Sequence, residues 1–216
     1  MRRLILFDLD NTLFDPASFR AQIFSKFAEI IDKEKKAEIV AFCQHLYDEQ
    51  IKAFGVFNPE RFIHSLTAKL HKGKIETLLA VVFAQDTLKD HFHSDSVETI
   101  KKLKNKAIIG ILSQGEEKLQ RAKLASIIHH FHPSHIHIPE NKKKEMREIL
   151  QRYEEYKIIF VDDMLPMLFE AKKNRPGIKT VWIKRGRYAL LQQPIKGFTP
   201  DATISSLTEL EKIVER

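Results

Sequence analysis

Residues 3–14 read RLILFDLDNTLF, and this stretch decides how the rest of the chain is read. Leu4, Ile5, Leu6 and Phe7 form an uninterrupted apolar run that ends in two carboxylates, Asp8 and Asp10, separated by a single leucine. A short run apolar on both faces is the pattern of a strand buried in a parallel sheet with helices on each side. In open α/β sheets, ligands gather beyond the carboxyl ends of the strands. Two acids at that rim repel each other and resist desolvation unless a cation or a positive ligand group compensates them. The bland alternative is a polar strand end followed by a turn or helix start at Asn11-Thr12.

Beyond Phe14 the pattern turns helical and stays so over residues 17–92, which read as an inserted helical unit. Phe19, Ile23, Phe24, Phe27 and Ile30 recur at spacings of three and four, as do Ile39, Phe42 and Leu46, with Phe54 further on. Asn58-Pro59-Glu60 supplies a cap, a first-turn proline and a first-turn acid for a helix carrying Phe62, Ile63, Leu66 and Leu70. Ile75 to Phe83 is a further short apolar helix. The phenylalanines here are expected to be core packing.

From residue 96 helices and strands alternate to the end. Ser96 is expected to cap a helix through Lys104, and residues 107–112 (AIIGIL) are a second buried strand closing at Ser113. A helix over 116–128, a short strand at 136–138 and a helix over 143–153 lead to a strand at 157–161 that ends in Asp162-Asp163. A helix over 165–174 stops at Pro176-Gly177, strands follow at 180–183 and 202–204, and Ser206 caps the closing helix. This alternation implies right-handed crossovers and an α/β fold with a doubly wound, Rossmann-like parallel sheet.

The composition agrees. The chain has 216 residues, 43% apolar and 30% charged, which suits an ordinary globular core and argues against disorder. Its one cysteine, Cys43, cannot form an internal disulfide and suits a reducing compartment. MRRLILF superficially resembles a signal peptide, but Asp8 interrupts the apolar run too early. No stretch approaches the roughly 20 apolar residues that span a bilayer, so the expectation is a cytoplasmic protein with no membrane partner. A net charge of +7 allows attraction to anions, yet the basic runs, KKLKNK at 101–106 and KKK at 142–144, lack interleaved aromatics. A nucleic-acid partner is therefore not expected, and 101–106 reads as a solvated helix face.

Three strands thus end in chemically suggestive residues: Asp8 and Asp10, then Ser113, then Asp162 and Asp163. If the strands are neighbours, four carboxylates converge, and a divalent cation is expected to offset them. Oxygen ligands without a cysteine or histidine set favour Mg²⁺.

At this point the residues resemble the haloacid dehalogenase superfamily. Its first motif, Asp-x-Asp-x-Thr, is matched by Asp8, Asp10 and Thr12, with Asn11 where glycine is commoner. Its second is matched by Ser113 and its fourth by Asp162-Asp163. The third, a lysine before a helix, falls among Lys142, Lys143 and Lys144; Lys142 is favoured because it follows Pro139-Glu140-Asn141 most closely, although the usual following proline is missing. The resemblance implies an α/β core of residues 1–14 and 93–216 and a small C1-type helical cap, 15–92, which closes over the site and selects the substrate.

It also implies a phosphatase acting on a small phosphorylated metabolite through an aspartyl-phosphate. Asp8 is the nucleophile and Asp10 the acid/base. Mg²⁺ is held by Asp8, the Asp10 backbone carbonyl and Asp163, with Asp162 in support. Ser113 and Lys142 bind phosphate oxygens, and Thr12 supports the loop. A halide leaving group needs no proton, so Asp10 favours a phosphatase over a dehalogenase. A phosphomutase keeps the same residues, an idle binding protein of the same fold would use the carboxylates only to hold its ligand, and the positive charge leaves a basic nucleic-acid binder as a last alternative. Oligomeric state is open.

Three other features are read as ordinary. His129, His130, His132, His135 and His137 are expected at a partly solvated rim. Gly186 follows a strand and could shape a loop near the site but is read as an ordinary turn, and Lys184, Arg185 and Arg187 could assist an anionic substrate but are read as solvated surface.

Overall fold

The computed structural model describes residues 2–215. The elements run β1 (Arg2–Phe7), α1 (Pro16–Asp32), α2 (Lys36–Phe54), α3 (Pro59–Leu70), α4 (Ile75–Phe83), α5 (Gln85–Lys89), α6 (Ser96–Leu103), β2 (Ile108–Leu112), α7 (Glu117–Leu124), β3 (Ile136–His137), α8 (Lys142–Gln151), β4 (Tyr156–Asp162), α9 (Leu165–Asn174), β5 (Lys179–Ile183), α10 (Gly186–Leu191), β6 (Ala202–Ile204) and α11 (Leu210–Glu215). Two compact units emerge. One comprises residues up to Asp15, Phe92–Gln114 and Ile127 onward; the other comprises Pro16–His91 with Gly115–Ser126.

The first unit is a six-stranded parallel sheet in the order β3-β2-β1-β4-β5-β6. The chain starts in the centre at β1, builds outward through β2 and β3, then returns to add β4, β5 and β6 on the other side. That reversal puts the topological switch between β1 and β4, where ligand clefts form in sheets of this kind. Leu4, Ile5, Leu6 and Phe7 are fully buried, each contributing on the order of 1.5–3 kcal/mol. Leu4 and Leu6 pack with Met146 and Ile149 of α8 and Leu168 of α9. Gly110 in β2 is required by a close approach: a Cβ there would lie 2.7 Å from the His135 carbonyl and 2.8 Å from Leu6 Cδ2.

The helical unit is built around aromatics. Phe24 and Phe62 stack at 5.4 Å, with Phe27, Tyr47 and Phe57 around them, so the phenylalanines do serve as core. Phe54 departs from the expected stripe: it is exposed, with the Arg61 guanidinium 3.8 Å from its ring centroid. The reading of 116–128 as part of the sheet domain also needs amending. Lys118 pairs with Glu60 at 2.8 Å and lies 4.9 Å from the Phe83 ring, and residues 115–126 group with the helical unit.

Of the three caps expected from sequence, two form. Asn58 accepts from the Arg61 amide, and Ser206 with Glu209 forms a reciprocal capping box. Ser96 is not a cap: it is the first residue of α6, and its hydroxyl donates to the Leu13 carbonyl at 2.8 Å. That bond holds the segment after the first strand against the sheet. Among the described residues no helix is long and apolar enough to cross a membrane.

Candidate active site

Parallel register brings the chemically marked strand ends to one level. Phe7 is aligned with Ile111 of β2 and Val161 of β4, so Asp8 stands beside Leu112 and Asp162. The Asp8 amide continues the ladder by donating to the Val161 carbonyl at 2.9 Å. Ser113 follows directly after β2, buried, with its amide on the His137 carbonyl at 3.0 Å.

Beyond Asp8 the chain turns sharply. The amides of Thr12, Leu13 and Phe14 all point at the Leu9 carbonyl, and the Asn11 amide donates to Phe14 at 2.7 Å. The turn needs a left-handed residue, which Asn11 supplies at φ 59°; asparagine tolerates this region far better than most side chains. Thr12 is fully buried, and its hydroxyl has no hydrogen-bond partner among the described residues. Its carbonyl accepts from Arg185 Nη1 at 3.0 Å.

The three candidate lysines separate cleanly. Lys143 and Lys144 are exposed, while Lys142 is buried at the start of α8 and its ammonium donates to Asp8 Oδ1 and Asp162 Oδ2, both at 2.6 Å. Asn141 caps this helix through the Lys144 amide, and the Lys142 amide itself is held by Gln114 Oε1 at 3.1 Å. An ammonium has three donors, so one remains after the two carboxylates are served.

Asp8, Asp162 and Asp163 offer carboxylate oxygens within 4.8 Å of one another. Burial pushes Asp8 up to about 7, with Lys142 opposing and Asp162 adding to the rise. Burial, then Asp162 and Asp8, push Asp163 up to about 9. Burial disfavours the Lys142 ammonium, but Asp162 and Asp8 outweigh it and hold the group charged well above the ordinary lysine range. Lys142 supplies one positive charge against the three buried carboxylates of this rim.

The donor set nonetheless fits a hard divalent ion. All three ligating groups are carboxylates, and Asp163 Oδ2 is buried with no hydrogen-bond partner among the described residues, an atom that a cation would satisfy. Asp162 is differently employed: its Oδ1 accepts from the Met164 amide at 2.7 Å and its Oδ2 from Lys142, so it orients rather than offers. The Asp10 carboxylate lies outside the group of three and is half-buried.

Several supporting residues were not anticipated. Gly186, read as an ordinary turn, adopts φ +67°, and a Cβ there would fall 2.7 Å from Asn11 Oδ1. Arg185, read as solvated, is largely buried, bonded to Thr12 and ion-paired with Asp95. Asp95 also accepts from Ser206 Oγ at 2.7 Å and the Leu207 amide at 2.9 Å. Gln192 Nε2 donates to the Asp163 carbonyl at 2.8 Å, while its Oε1 accepts from the Leu165 amide at 2.6 Å. The available signal was positional: Arg185 and Gly186 follow the carboxyl end of β5, on the same rim. The histidines form the expected partly solvated rim, His129 and His132 exposed and His130, His135 and His137 half-buried, with His135 and His137 lying 3.0 and 2.6 Å from the Tyr153 hydroxyl.

Comparison with known proteins agrees with this geometry. The family model for haloacid dehalogenase-like hydrolases matches residues 2–166. The glyceraldehyde 3-phosphate phosphatase of Pyrococcus furiosus is 28% identical over 242 residues, covering 100% of this chain and 95% of its own. Among solved structures, a haloacid dehalogenase-like hydrolase from Burkholderia xenovorans LB400 superposes with a TM-score of 0.78 at 20% identity, over 99% of this chain and 97% of its own. L-2-haloacid dehalogenase from Xanthobacter autotrophicus, with chloropropionic acid covalently bound, gives 0.63 at 14% identity, over 100% and 99%. With its strand-end carboxylates, buried lysine and matching profile over most of its length, the chain belongs to the haloacid dehalogenase-like hydrolases.

Proposed function

We propose that the protein is a Mg²⁺-dependent phosphatase of a small phosphorylated metabolite, working through an aspartyl-phosphate on Asp8. The observation that carries this reading is the rim itself: a nucleophile-grade carboxylate, Asp8, sits between a buried ammonium and the unpartnered Asp163 oxygen, with Asp10 two residues further on. The phosphatase relative supports the phosphoryl chemistry.

Asp8 and Asp163 would hold Mg²⁺ with the Asp10 backbone carbonyl, Asp162 keeping Lys142 and the Met164 amide in place. The ion supplies charge neutralisation between a carboxylate and a phosphate dianion. An Asp8 oxygen attacks phosphorus as the ester P–O bond breaks, and Asp10 gives its proton to the departing alkoxide. Asp10, now a base, takes a proton from water; the water oxygen attacks phosphorus, the bond to Asp8 breaks, and inorganic phosphate leaves. Ser113 and the remaining Lys142 donor stabilise the equatorial oxygens. Asp10 is also the reason to prefer this reaction over dehalogenation, where no leaving-group proton is required.

The helical unit is assigned as the C1-type cap that selects the substrate, and a cytoplasmic setting suits the lone, buried Cys43. The purified chain is expected to hydrolyse an aryl phosphate only with Mg²⁺, and Asp8→Asn to remove turnover. Full activity in excess chelator, or a fully active Asp8→Asn protein, would defeat the assignment.

A further inference from the structure

The amino ends of the strands carry a feature that the phosphatase chemistry leaves unused. A cleft of about 750 Å³ opens there, lined by Arg2 and Arg3 of β1, Lys157 of β4, Lys104 and Lys106 after α6, and His130. Its walls contain no acidic side chain. Asp8 lies five positions beyond Arg3, so about 17 Å of chain at roughly 3.3 Å per residue lies between this cleft and the carboxylate rim.

The charges are unbalanced. Lys106 pairs with Glu215 at 2.6 Å, and the neighbouring Lys101 and Lys102 pair with Glu98 and Glu211. Arg2, Arg3, Lys104 and Lys157 form no ion pair among the described residues. Arg3 and Lys157 are direct register partners on adjacent strands, an arrangement that is unfavourable for like charges unless something negative lies across them. Both ring nitrogens of His130 are buried without a hydrogen-bond partner. The unpaired cations and the unpartnered His130 ring point to the same kind of occupant, since an anion with several oxygens would offset the charges and accept from the His130 ring N–H.

We propose that this cleft binds a small polyphosphorylated anion, at a site separate from the carboxylate rim. Its volume lies within the range of small-ligand sites, and five cationic side chains line it. The aromatic members of the lining are two histidines, His130 and His132, with no Phe, Tyr or Trp to form the stacking platform that single-stranded nucleic acid uses. Guanidinium forks from Arg2 and Arg3 suit bidentate phosphate contacts, and the lysines act as point charges around them. The apolar floor, Ala107 to Ile109, leaves space for an organic group attached to the phosphates.

The test is calorimetric titration of the full chain with inorganic tripolyphosphate, without Mg²⁺, at about 0.15 M salt, where surface attraction is largely screened. One-to-one binding is expected, at least tenfold weaker in Arg3→Gln/Lys157→Gln and unchanged in Ser113→Ala at the rim. Lys157→Glu offers a second variant that gives Arg3 a counter-charge, preserves the fold and lowers binding likewise. The proposal is overturned if the wild type does not bind or if the cleft variants bind as tightly as the wild type. It is equally overturned if Ser113→Ala loses binding, or if a single-stranded oligonucleotide binds and tripolyphosphate does not displace it. The outcome is independent of the phosphatase reading, because the titration requires no turnover.

Discussion

Asp10 and Lys142 show how much a single position decides here. If Asp10 moves a proton in both half-reactions, Asp10→Asn should lower kcat by about 10²- to 10⁴-fold while leaving Mg²⁺ affinity, measured by titration, near that of the wild type. An equal loss of metal affinity would instead mark it as a carboxylate ligand. Lys142 is a structural charge as well as a candidate phosphate donor, because Asp8 and Asp162 both lean on it. Removing one partner of a buried ion cluster leaves uncompensated charge, so Lys142→Met should cost about 3–5 kcal/mol in urea unfolding without metal. Added Mg²⁺ should recover part of that loss. A variant as stable as the wild type would mean that protons alone already neutralise the carboxylates.

At the scale of elements, the rim is a set of loops pinned to one another. The turn after β1 is held by Arg185, which also binds Asp95, and Asp95 in turn receives the capping serine before α11. The start of α9 is held through Gln192, beyond α10. Where Gly186 begins α10, two constraints coincide: a left-handed φ and the Asn11 side chain in the space of a Cβ. Gly186→Ala should therefore cost at least about 1–3 kcal/mol from the strained backbone alone, with the clash added. In the double variant with Asn11→Gly, the clash portion should return as a coupling of about 0.5–3 kcal/mol, leaving the φ penalty. Strict additivity in a thermal-unfolding cycle would show that the two loops do not meet in solution.

For the whole molecule, the half-buried His137 ties stability to pH. Burial, with Arg152 and His135 assisting, pushes His137 down to about 4 from 6.5. The unfolded chain then binds more protons between these values, so stability rises with pH across that window. The His137 contribution is complete above about 6.5 and is lost progressively as pH falls toward 4. Urea midpoints recorded from pH 4.5 to 7 should show a shallower dependence in His137→Gln than in the wild type. Parallel curves would place His137 in solvent after all.

The fold was legible from sequence because a parallel sheet with helices on both faces leaves an unmistakable imprint: runs such as LILF, IIGIL and IIFV are apolar on both sides, and each ends at a polar rim. The same runs located Asp8, Ser113 and Asp162-Asp163, since strand ends mark where ligands gather. What sequence could not supply was everything set by side-chain direction and burial. In KKK only the position after Pro139-Glu140-Asn141 favours Lys142, and it is the helix phase that turns it inward while its neighbours face water. Ser96 looks like a cap until its hydroxyl is seen on Leu13, and Arg185, Gly186 and Gln192 acquire purpose only when distant loops meet. The periodicity of burial is local and written along the chain, whereas the neutralisation of buried charge is a property of groups that only the tertiary structure brings within a few ångströms.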